Sequence, residues 1–355
     1  MKKHNFGAGP CILPKEVFTK ASQAIIDFDN SGLSILEISH RSEAFVNVME
    51  RARSLALELL GLKNKGYHAL FLQGGASFQF VMVAYNLLEK KAGYLNTGRW
   101  AHNAIKEARN FGEVFELASS ANKNYNYIPE IKTIPTDLDY IHLTSNNTVV
   151  GTQMQSFPET NVPLVIDMSS DIYSRNIDYT AFDLIYAGAQ KNIGPAGTTL
   201  VIVKEELLGK VSRTIPSMLD YQVLIDKKSM FNTPPVFSVY TSMLNLEWLK
   251  NQGGIQAIEK QNKAKAELLY AEIDRNPLFE ATVPYKKDRS MMNATFKIKN
   301  SDLESRFAEL ANEAGVHGIK GHRSVGGYRA SMYNALPLSS VEVLVSVMQE
   351  LEKLS

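Results

Sequence analysis

Lys191 is the first residue in this chain whose position suggests chemistry. It follows the apolar run "FDLIYAGAQ" and precedes the loop "NIGPAG", so it lies just past the end of a predicted buried strand. Most lysines at such junctions are solvated surface groups, and position alone favours that interpretation. The lysine therefore needs companions before a role can be assigned to it.

Two other predicted strands end in groups that could share a site with Lys191. "LQGGAS" places Gly74 and Gly75 at a helix start, where free amides and the helix dipole suit a phosphate, although paired glycines often mark only a tight turn. "VIDMSS" places Asp167 after an apolar run, either as a helix N-cap or as a buried carboxylate that keeps a ring nitrogen protonated. Ligands of parallel α/β sheets collect at the carboxyl ends of the strands. Together these groups match the needs of a pyridoxal phosphate enzyme: a phosphate cradle, a pyridinium partner and an amine.

The elements that must position these residues alternate through the first two thirds of the chain. The predicted strands are "HALFLQ", "AGYLNTG", "YIHLTS", "PLVIDMS", "DLIYAGA" and "TTLVIVK". Helical spacing covers 78–91 and the segment from Trp100, which is expected to close on Gly112 as a helix C-terminus. This alternation predicts an α/β fold with a mostly parallel sheet covered on both faces.

The last third of the chain changes character. A long helix is predicted from Gly254 to Asp274, then a half-exposed strand in "MMNATFKIK". Two amphipathic helices follow, and the second opens with Ser339 and Glu342 at capping-box spacing. We therefore expect a large cofactor-binding domain over 14–253 and a small C-terminal α+β domain over 254–355, joined by the N-terminal segment 1–13.

Composition excludes several classes of protein. The 355 residues are 45% hydrophobic and 21% charged with a formal net charge of +1, which leaves no electrostatic footprint for nucleic acid or an anionic membrane. A single cysteine, Cys11, cannot form an intrachain disulfide, and no Cys/His spacing suits a structural zinc, so no metal is expected. We see neither a signal peptide nor a membrane span and expect a cytoplasmic protein, in which the sequon at 146–148 has no meaning.

Several distant motifs carry a family resemblance. "FGAGPCILP", "ISHRS", "YAGAQKNIGPAG", "MFNTPPVFS" and "KGHRSVGGYRAS" occur in this order from the first residues almost to the last helix. The sequence resembles the phosphoserine aminotransferase family of the class-V aminotransferases, which are fold-type-I pyridoxal phosphate enzymes. The resemblance implies a large domain with a mostly parallel sheet, a smaller C-terminal α+β domain, and pyridoxal 5'-phosphate as cofactor.

The resemblance also implies roles for the cofactor-binding residues. Lys191 would bind the cofactor covalently and move the substrate proton, and Asp167 would pair with the pyridinium nitrogen. Trp100 would stack on the ring, although a tryptophan is by default a core residue. The remaining cofactor contacts would come from Ala76, Ser77, Gln190 and Thr148, and from Asn232 and Thr233, which are expected to reach the phosphate of a neighbouring subunit. The active sites would then be shared across a homodimer.

The substrate side requires cations. Arg329 resembles the family's clamp for the α-carboxylate, a task suited to a guanidinium fork. The distal anion, a phosphate or a carboxylate, would bind the two His-Arg pairs, although such pairs are usually solvated: His40, Arg41, His322 and Arg323. Some family members have an arginine where this chain has Ser77, which leaves the relative affinities for phosphorylated and non-phosphorylated substrates open.

The implied reaction transfers the amino group of L-glutamate to 3-phosphohydroxypyruvate, giving O-phospho-L-serine and 2-oxoglutarate in serine biosynthesis. Whether the chain also serves the 4-phosphohydroxy-L-threonine step of pyridoxine biosynthesis is left open. Cysteine desulfurases and alanine-glyoxylate aminotransferases share the fold, but the first need a mobile nucleophilic cysteine and the second would not need His322 and Arg323. A non-catalytic pyridoxal phosphate carrier would need Lys191 but not Arg329.

Overall fold

The computed structural model describes residues 3–355. Its nine α-helices are α1 (Lys15–Ile26), α2 (Glu43–Leu59), α3 (Gly75–Leu87), α4 (Arg99–Ala108), α5 (Tyr221–Asp226), α6 (Val236–Asn251), α7 (Gly254–Arg275), α8 (Glu304–Glu313) and α9 (Leu338–Leu354). Its strands are β1 (His4–Asn5), β2 (Tyr67–Leu72), β3 (Lys91–Asn96), β4 (Glu113–Ser119), β5 (Tyr140–Thr144), β6 (Leu164–Asp167), β7 (Leu184–Gly188), β8 (Thr199–Lys204), β9 (Phe279–Ala281), β10 (Asn293–Ile298), β11 (Val316–His317) and β12 (Tyr328–Ser331). In this described part of the chain, no helix is long and apolar enough to cross a membrane.

A seven-stranded sheet in the order β2-β8-β7-β6-β5-β3-β4 forms the centre of the molecule. Strand β8 is antiparallel to both of its neighbours, and the pairs from β7 to β4 are parallel. The prediction of a mostly parallel α/β sheet is therefore confirmed. Because parallel strands run the same way, the ends of β5, β6 and β7 meet at one edge of the sheet.

Each face of this sheet has its own apolar core, as alternation along the strands requires. Ile166 and Ile185 point to the core covered by α1, α2 and α6. Their neighbours Val165 and Leu184 point to the opposite core, covered by α3, α4 and α5. The central strands are buried on both faces, which explains their continuous apolar sequence.

A second, three-stranded antiparallel sheet in the order β12-β10-β9 packs with α7, α8 and α9. The N-terminal segment contributes to this part, since β1 pairs with β11 and Phe6 lies in its core. Helix α7 serves both parts: Ile258 packs in the core of the large sheet, whereas Leu269 packs in the core of the small sheet. The first two residues of the segment 1–13 lie outside the described residues.

Three local predictions were wrong. Helix α9 is capped by Pro337 without any side-chain hydrogen bond, so Ser339 and Glu342 lie inside the helix and form no capping box. Helix α4 ends at Ala108 rather than on Gly112, where a Cβ would lie 2.9 Å from the Lys90 carbonyl oxygen, so that glycine serves close packing.

The third wrong prediction concerns β10, which was expected to be half exposed. Of its three polar residues Lys297 is exposed as expected, but Asn293 and Thr295 are buried, with 0% and 3% exposure. Asn293 accepts a hydrogen bond from the Asn146 side chain at 2.8 Å, and Thr295 donates one to the Val150 carbonyl oxygen. The first part of the polar face is covered by the segment that follows β5, so alternation at Asn293 and Thr295 marks a polar packing interface and not solvent exposure.

Candidate active site

A cavity of about 360 Å³ lies at the edge where β5, β6 and β7 end. The sequence-predicted residues in its wall are Ala76, Ser77, Trp100, Thr148, Asp167, Gln190, Lys191, His322 and Arg329. They come from six separate stretches of chain, brought together by the sheet edge, by the starts of α3 and α4, and by β12 with the loop before it.

Lys191 lies three residues beyond the end of β7, and its amine projects into the cavity wall. Nζ donates a hydrogen bond to Thr148 Oγ1 at 2.9 Å. Burial lowers the pKa of Lys191 to about 8, although the charge of Asp167 acts in the opposite direction. A lysine with such a pKa is partly a free base near neutral pH, as an amine that attacks a carbonyl carbon or accepts a proton must be.

Asp167 is the last residue of β6 and is 6% exposed. Its Oδ1 accepts a hydrogen bond from the Ser169 amide at 2.8 Å. Burial raises the pKa of this carboxyl, while the hydrogen bonds of Ser169 and the charge of Lys191 partly offset the effect. A cationic ring nitrogen beside Asp167 would favour its ionised form, so the carboxylate suits a positively charged partner.

The start of α3 supplies donors for an anion. Gly74 is the N-cap with φ 92°, and Gly75 follows with φ 71°, both in the left-handed region. A Cβ on Gly74 would lie 2.7 Å from the Phe78 ring, so the turn has no room for a side chain. The first-turn amides of Ala76 and Ser77 have no partner within the helix and lie at its positive end, an arrangement that binds phosphate.

Among residues 3–355, three buried polar atoms in or beside the cavity have no hydrogen-bond partner. They are Trp100 Nε1, Thr144 Oγ1 and Arg329 Nε. Buried polar atoms are nearly always hydrogen-bonded, and unpaired ones at a cavity indicate a site for a polar ligand.

The cavity also contains cations suited to an anionic substrate. Arg329 on β12 donates from Nη1 to the Thr148 carbonyl oxygen at 3.1 Å, and burial lowers its pKa. Burial lowers the pKa of His322 as well, and the neighbouring charges of Arg99, Arg329 and Arg323 add to that effect. An anion placed among these arginines would be attracted to them and would favour the protonated form of His322.

Five predicted site residues do not line this cavity. Arg323 is exposed beside His322, and Arg41 is exposed near the start of α2. Asn232 lines a different cavity near the end of β2, where the Thr233 carbonyl oxygen accepts a hydrogen bond from Gln73 Nε2 at 2.7 Å. His40 Nε2 is buried and has no hydrogen-bond partner in the part of the chain that the structure describes. Within one chain these residues do not complete the site, and their roles stay predictions.

Sequence reasoning missed several residues of the wall: Ala8, Gly9, Phe80, Thr144, Asn146, Ser169 and Ser170. Thr144 is the last residue of β5, as Asp167 is the last residue of β6. The search for polar residues at the ends of predicted strands could therefore have found Thr144. Ser169 could have been found from its place in "DMSS", two residues after Asp167. In the structure it accepts a hydrogen bond from the Gly188 amide at 3.1 Å and so joins the ends of β6 and β7. The N-terminal Ala8 and Gly9 carry no comparable signal.

Cys11 packs directly behind the lysine. Its Sγ donates to the Lys191 carbonyl oxygen at 2.6 Å, and burial raises the pKa of the thiol to about 12. The thiol therefore stays protonated at neutral pH and is a poor nucleophile.

This combination of fold and site agrees with known proteins. The family model for class-V aminotransferases matches residues 4–344, so the chain belongs to the class-V aminotransferase family, whose members are pyridoxal phosphate-dependent transaminases. The prediction made from the motifs is thereby confirmed.

Full-length relatives identify the group within that family. The chain is 66% identical to the phosphoserine aminotransferase of Flavobacterium psychrophilum over 99% of each chain, and 57% identical to that of Bacteroides thetaiotaomicron over 100% of each. Among solved structures it is similar to phosphoserine aminotransferase from Bacillus circulans subsp. alkalophilus, with a TM-score of 0.95, 42% identity and 99% of each chain covered. It is also similar to the pyridoxal phosphate-bound enzyme of Trichomonas vaginalis, with a TM-score of 0.92, 33% identity and 98% and 100% covered. These matches place the chain among the phosphoserine aminotransferases.

Proposed function

We propose that the protein transfers the amino group of L-glutamate to 3-phosphohydroxypyruvate and so makes O-phospho-L-serine and 2-oxoglutarate, using pyridoxal 5'-phosphate. One observation carries this proposal: a single cavity holds an amine of lowered pKa, a buried carboxylate, the guanidinium of Arg329 and the imidazole of His322, which Arg99 contacts. The first two groups serve the cofactor, and the cations serve an acid with two anionic ends.

Pyridoxal phosphate fits the donor set of this cavity. The free amides at the start of α3 and the side chain of Gln190 would hold its phosphate, and Asp167 would hold its ring nitrogen. Trp100 offers an aromatic face and Thr148 a hydroxyl. When bound, the cofactor supplies an aldehyde that accepts the amino group and a ring that stabilises charge at the substrate α-carbon.

The protein groups supply proton transfer and orientation. Lys191 Nζ, as a free base, would remove the proton from the substrate α-carbon and hold it for the return transfer. The hydrogen bond from Lys191 Nζ to Thr148 Oγ1 fixes the position of the free amine. Arg329 binds the α-carboxylate common to both amino acids, and His322 meets the distal anion. Because both substrates present the same two anionic ends, one pocket serves both halves of the cycle.

The alternatives fit the cavity less well. A cysteine desulfurase needs a thiolate that reaches the substrate, whereas Cys11 is a protonated thiol held against the Lys191 carbonyl oxygen. An alanine-glyoxylate aminotransferase from Nostoc has the same fold at 16% identity, but small substrates do not require the second anion-binding group, His322. A carrier of pyridoxal phosphate would not require Arg329.

The direct test supplies the holoenzyme with glutamate and a keto acid and measures 2-oxoglutarate. We expect turnover with 3-phosphohydroxypyruvate and much slower turnover with pyruvate or glyoxylate. Turnover that is as fast with glyoxylate would favour the small-substrate alternative, and none with any keto acid would favour the carrier. A Lys191→Ala preparation is the control for contaminating transaminases.

Three further features of the proposal depend on the sequence. We propose a homodimer in which His40, Arg41, Asn232 and Thr233 complete the partner's site. We also propose that the large domain spans 14–253 and the small domain 254–355 with the N-terminal segment 1–13, supported by the β1–β11 pairing. A cytoplasmic location and a role in pyridoxine biosynthesis stay predictions.

A further inference from the structure

A second cavity of about 590 Å³ adjoins the active-site cavity on its cationic side. Val149 lines both cavities. Arg99 and Ser324 line the outer one, and both contact His322, which lines the inner one. The contact between Arg99 and His322 therefore marks where the two cavities meet.

Positive charge dominates the wall of the outer cavity. Its charged side chains are those of Arg99, Lys123 and Lys297 against the single carboxylate of Glu280. Within residues 3–355, Arg99 forms no ion pair with any carboxylate, and neither do Arg323 and Arg329. An approaching dianion meets unpaired cations at the outer cavity and again at the boundary.

The hydrogen bonds of His322 show that, among the described residues, a hydrogen-bond acceptor is missing where the two cavities meet. His322 Nδ1 lies 2.7 Å from the Ser324 hydroxyl, which can donate or accept, and 3.2 Å from the Ser324 amide, which can only donate. The amide contact assigns the neutral tautomer in which Nδ1 is the acceptor and Nε2 carries the proton. Nη1 of Arg99 lies 3.4 Å from that same Nε2, and a guanidinium nitrogen also only donates. Arg99 Nη1 and His322 Nε2 are thus two hydrogen-bond donors that face each other. A single acceptor placed between them could accept a hydrogen bond from both.

Arg99 is held in this position from its other side. Its guanidinium carbon lies 5.8 Å from the centroid of the Trp100 ring, a cation–π contact. Arg99 is also the first residue of α4, directly after Gly98, where a Cβ would lie 2.3 Å from Asn147 Nδ2. The backbone before the arginine is therefore fixed by close packing.

We infer that Arg99 is a specificity-determining residue that, with His322 Nε2, binds the phosphate of the phosphorylated substrate and favours it over a carboxylate. This inference rests on the proposed function. A phosphate presents three oxygens and nearly two negative charges, so it can accept from both donors at once. The distal carboxylate of glutamate has one charge and two oxygens and gains less from the second cation.

The test compares two half-reactions of the holoenzyme, with O-phospho-L-serine and with L-glutamate, in Arg99→Gln and Arg99→Lys. We expect Arg99→Gln to lower kcat/KM for O-phospho-L-serine about 10-fold more than for glutamate, chiefly through KM, because a charge-assisted hydrogen bond is lost. Arg99→Lys keeps the charge and should recover most of that loss. Arg109→Gln is the matched control, since Arg109 follows α4 at its other end and pairs with Glu116.

The outcomes separate the inference from the proposed function. Equal losses for both amino acids would mean that Arg99 merely positions Trp100, and no loss would mean that the phosphate lies elsewhere; either result overturns the inference and leaves the reaction intact. A wild-type enzyme that uses glutamate but not O-phospho-L-serine would overturn the proposed function, and the inference with it.

Discussion

The Lys191 amine is a weaker base than an ordinary lysine, and this property can be measured directly. Burial lowers its pKa from 10.5 to about 8. An amine captures an aldehyde only as the free base, so capture should be fast above that pKa and should slow as pH falls through it. We expect the rate of covalent pyridoxal phosphate capture by the apoprotein, followed by absorbance, to have its midpoint near pH 8.

Asp167→Asn is the informative control, because the charge of Asp167 raises the pKa of Lys191. Its removal should move the midpoint to lower pH. A wild-type midpoint near pH 10.5 would contradict the lowering of the Lys191 pKa by burial. A midpoint at higher pH in Asp167→Asn would contradict the effect of the Asp167 charge on that pKa. Lys191→Ala should show neither capture nor turnover, and retained turnover would remove the central assignment.

Arg329 should act on both substrates alike. Its guanidinium is half-buried and donates to the Thr148 carbonyl oxygen, with Nε left free. Arg329→Gln removes a charged contact worth roughly 1.5–3 kcal/mol, so KM should rise about 10- to 100-fold for glutamate and for O-phospho-L-serine. Steady-state kinetics with each substrate checks this expectation, and an effect confined to one of them would assign Arg329 to the distal anion instead.

At the scale of elements, the sequence predicted the strands that carry the site but not every contact around them. Asp167 and Lys191 could be predicted because buried parallel strands have continuous apolar sequences, and the end of the apolar run marks the end of the strand. Arg99 could not, because its significance depends on a histidine 223 residues away in the chain. The polar face of β10 was misjudged for the same reason: its partner Asn146 lies 147 residues earlier in the chain, in the segment that follows β5.

The loop before β12 offers a prediction about element geometry. Gly321 donates to the Gly327 carbonyl oxygen at 2.8 Å and closes the loop that carries His322. A Cβ at Gly321 would lie 2.1 Å from the Gly326 carbonyl oxygen, so Gly321→Ala must open the loop. We expect it to cost about 1–3 kcal/mol of stability and to raise KM for the phosphorylated substrate, as thermal unfolding and kinetics would show.

Gly326→Ala is the matched control in the same loop. A Cβ there meets nothing within 4 Å, and only its φ of 75° opposes the change. The strain should cost about 1 kcal/mol and leave KM close to that of the wild type. Equal effects of the two substitutions on KM would show that general loosening of the loop, rather than the close approach at Gly321, controls the position of His322.

At the scale of the whole molecule, one chain contains an incomplete set of the predicted cations. Arg41 is exposed and lies outside the wall of its own chain's cavity. If His40, Arg41, Asn232 and Thr233 act in a partner's site, each site combines Lys191 of one chain with Arg41 of the other. Two defective variants, Lys191→Ala and Arg41→Ala, should then complement each other.

In a hybrid dimer of these variants, one site carries both defects and the other carries neither. Random exchange between equal amounts makes half of the dimers hybrid, so total activity at low substrate should recover to about a quarter of the wild-type value, well above either parent. The measurement is the rate after the two variants are partly unfolded together and refolded, with each variant treated alone as the control. Activity no greater than the average of the parents would place Arg41 in the site of its own chain, or in none, because only exchange between subunits can restore a complete set of residues.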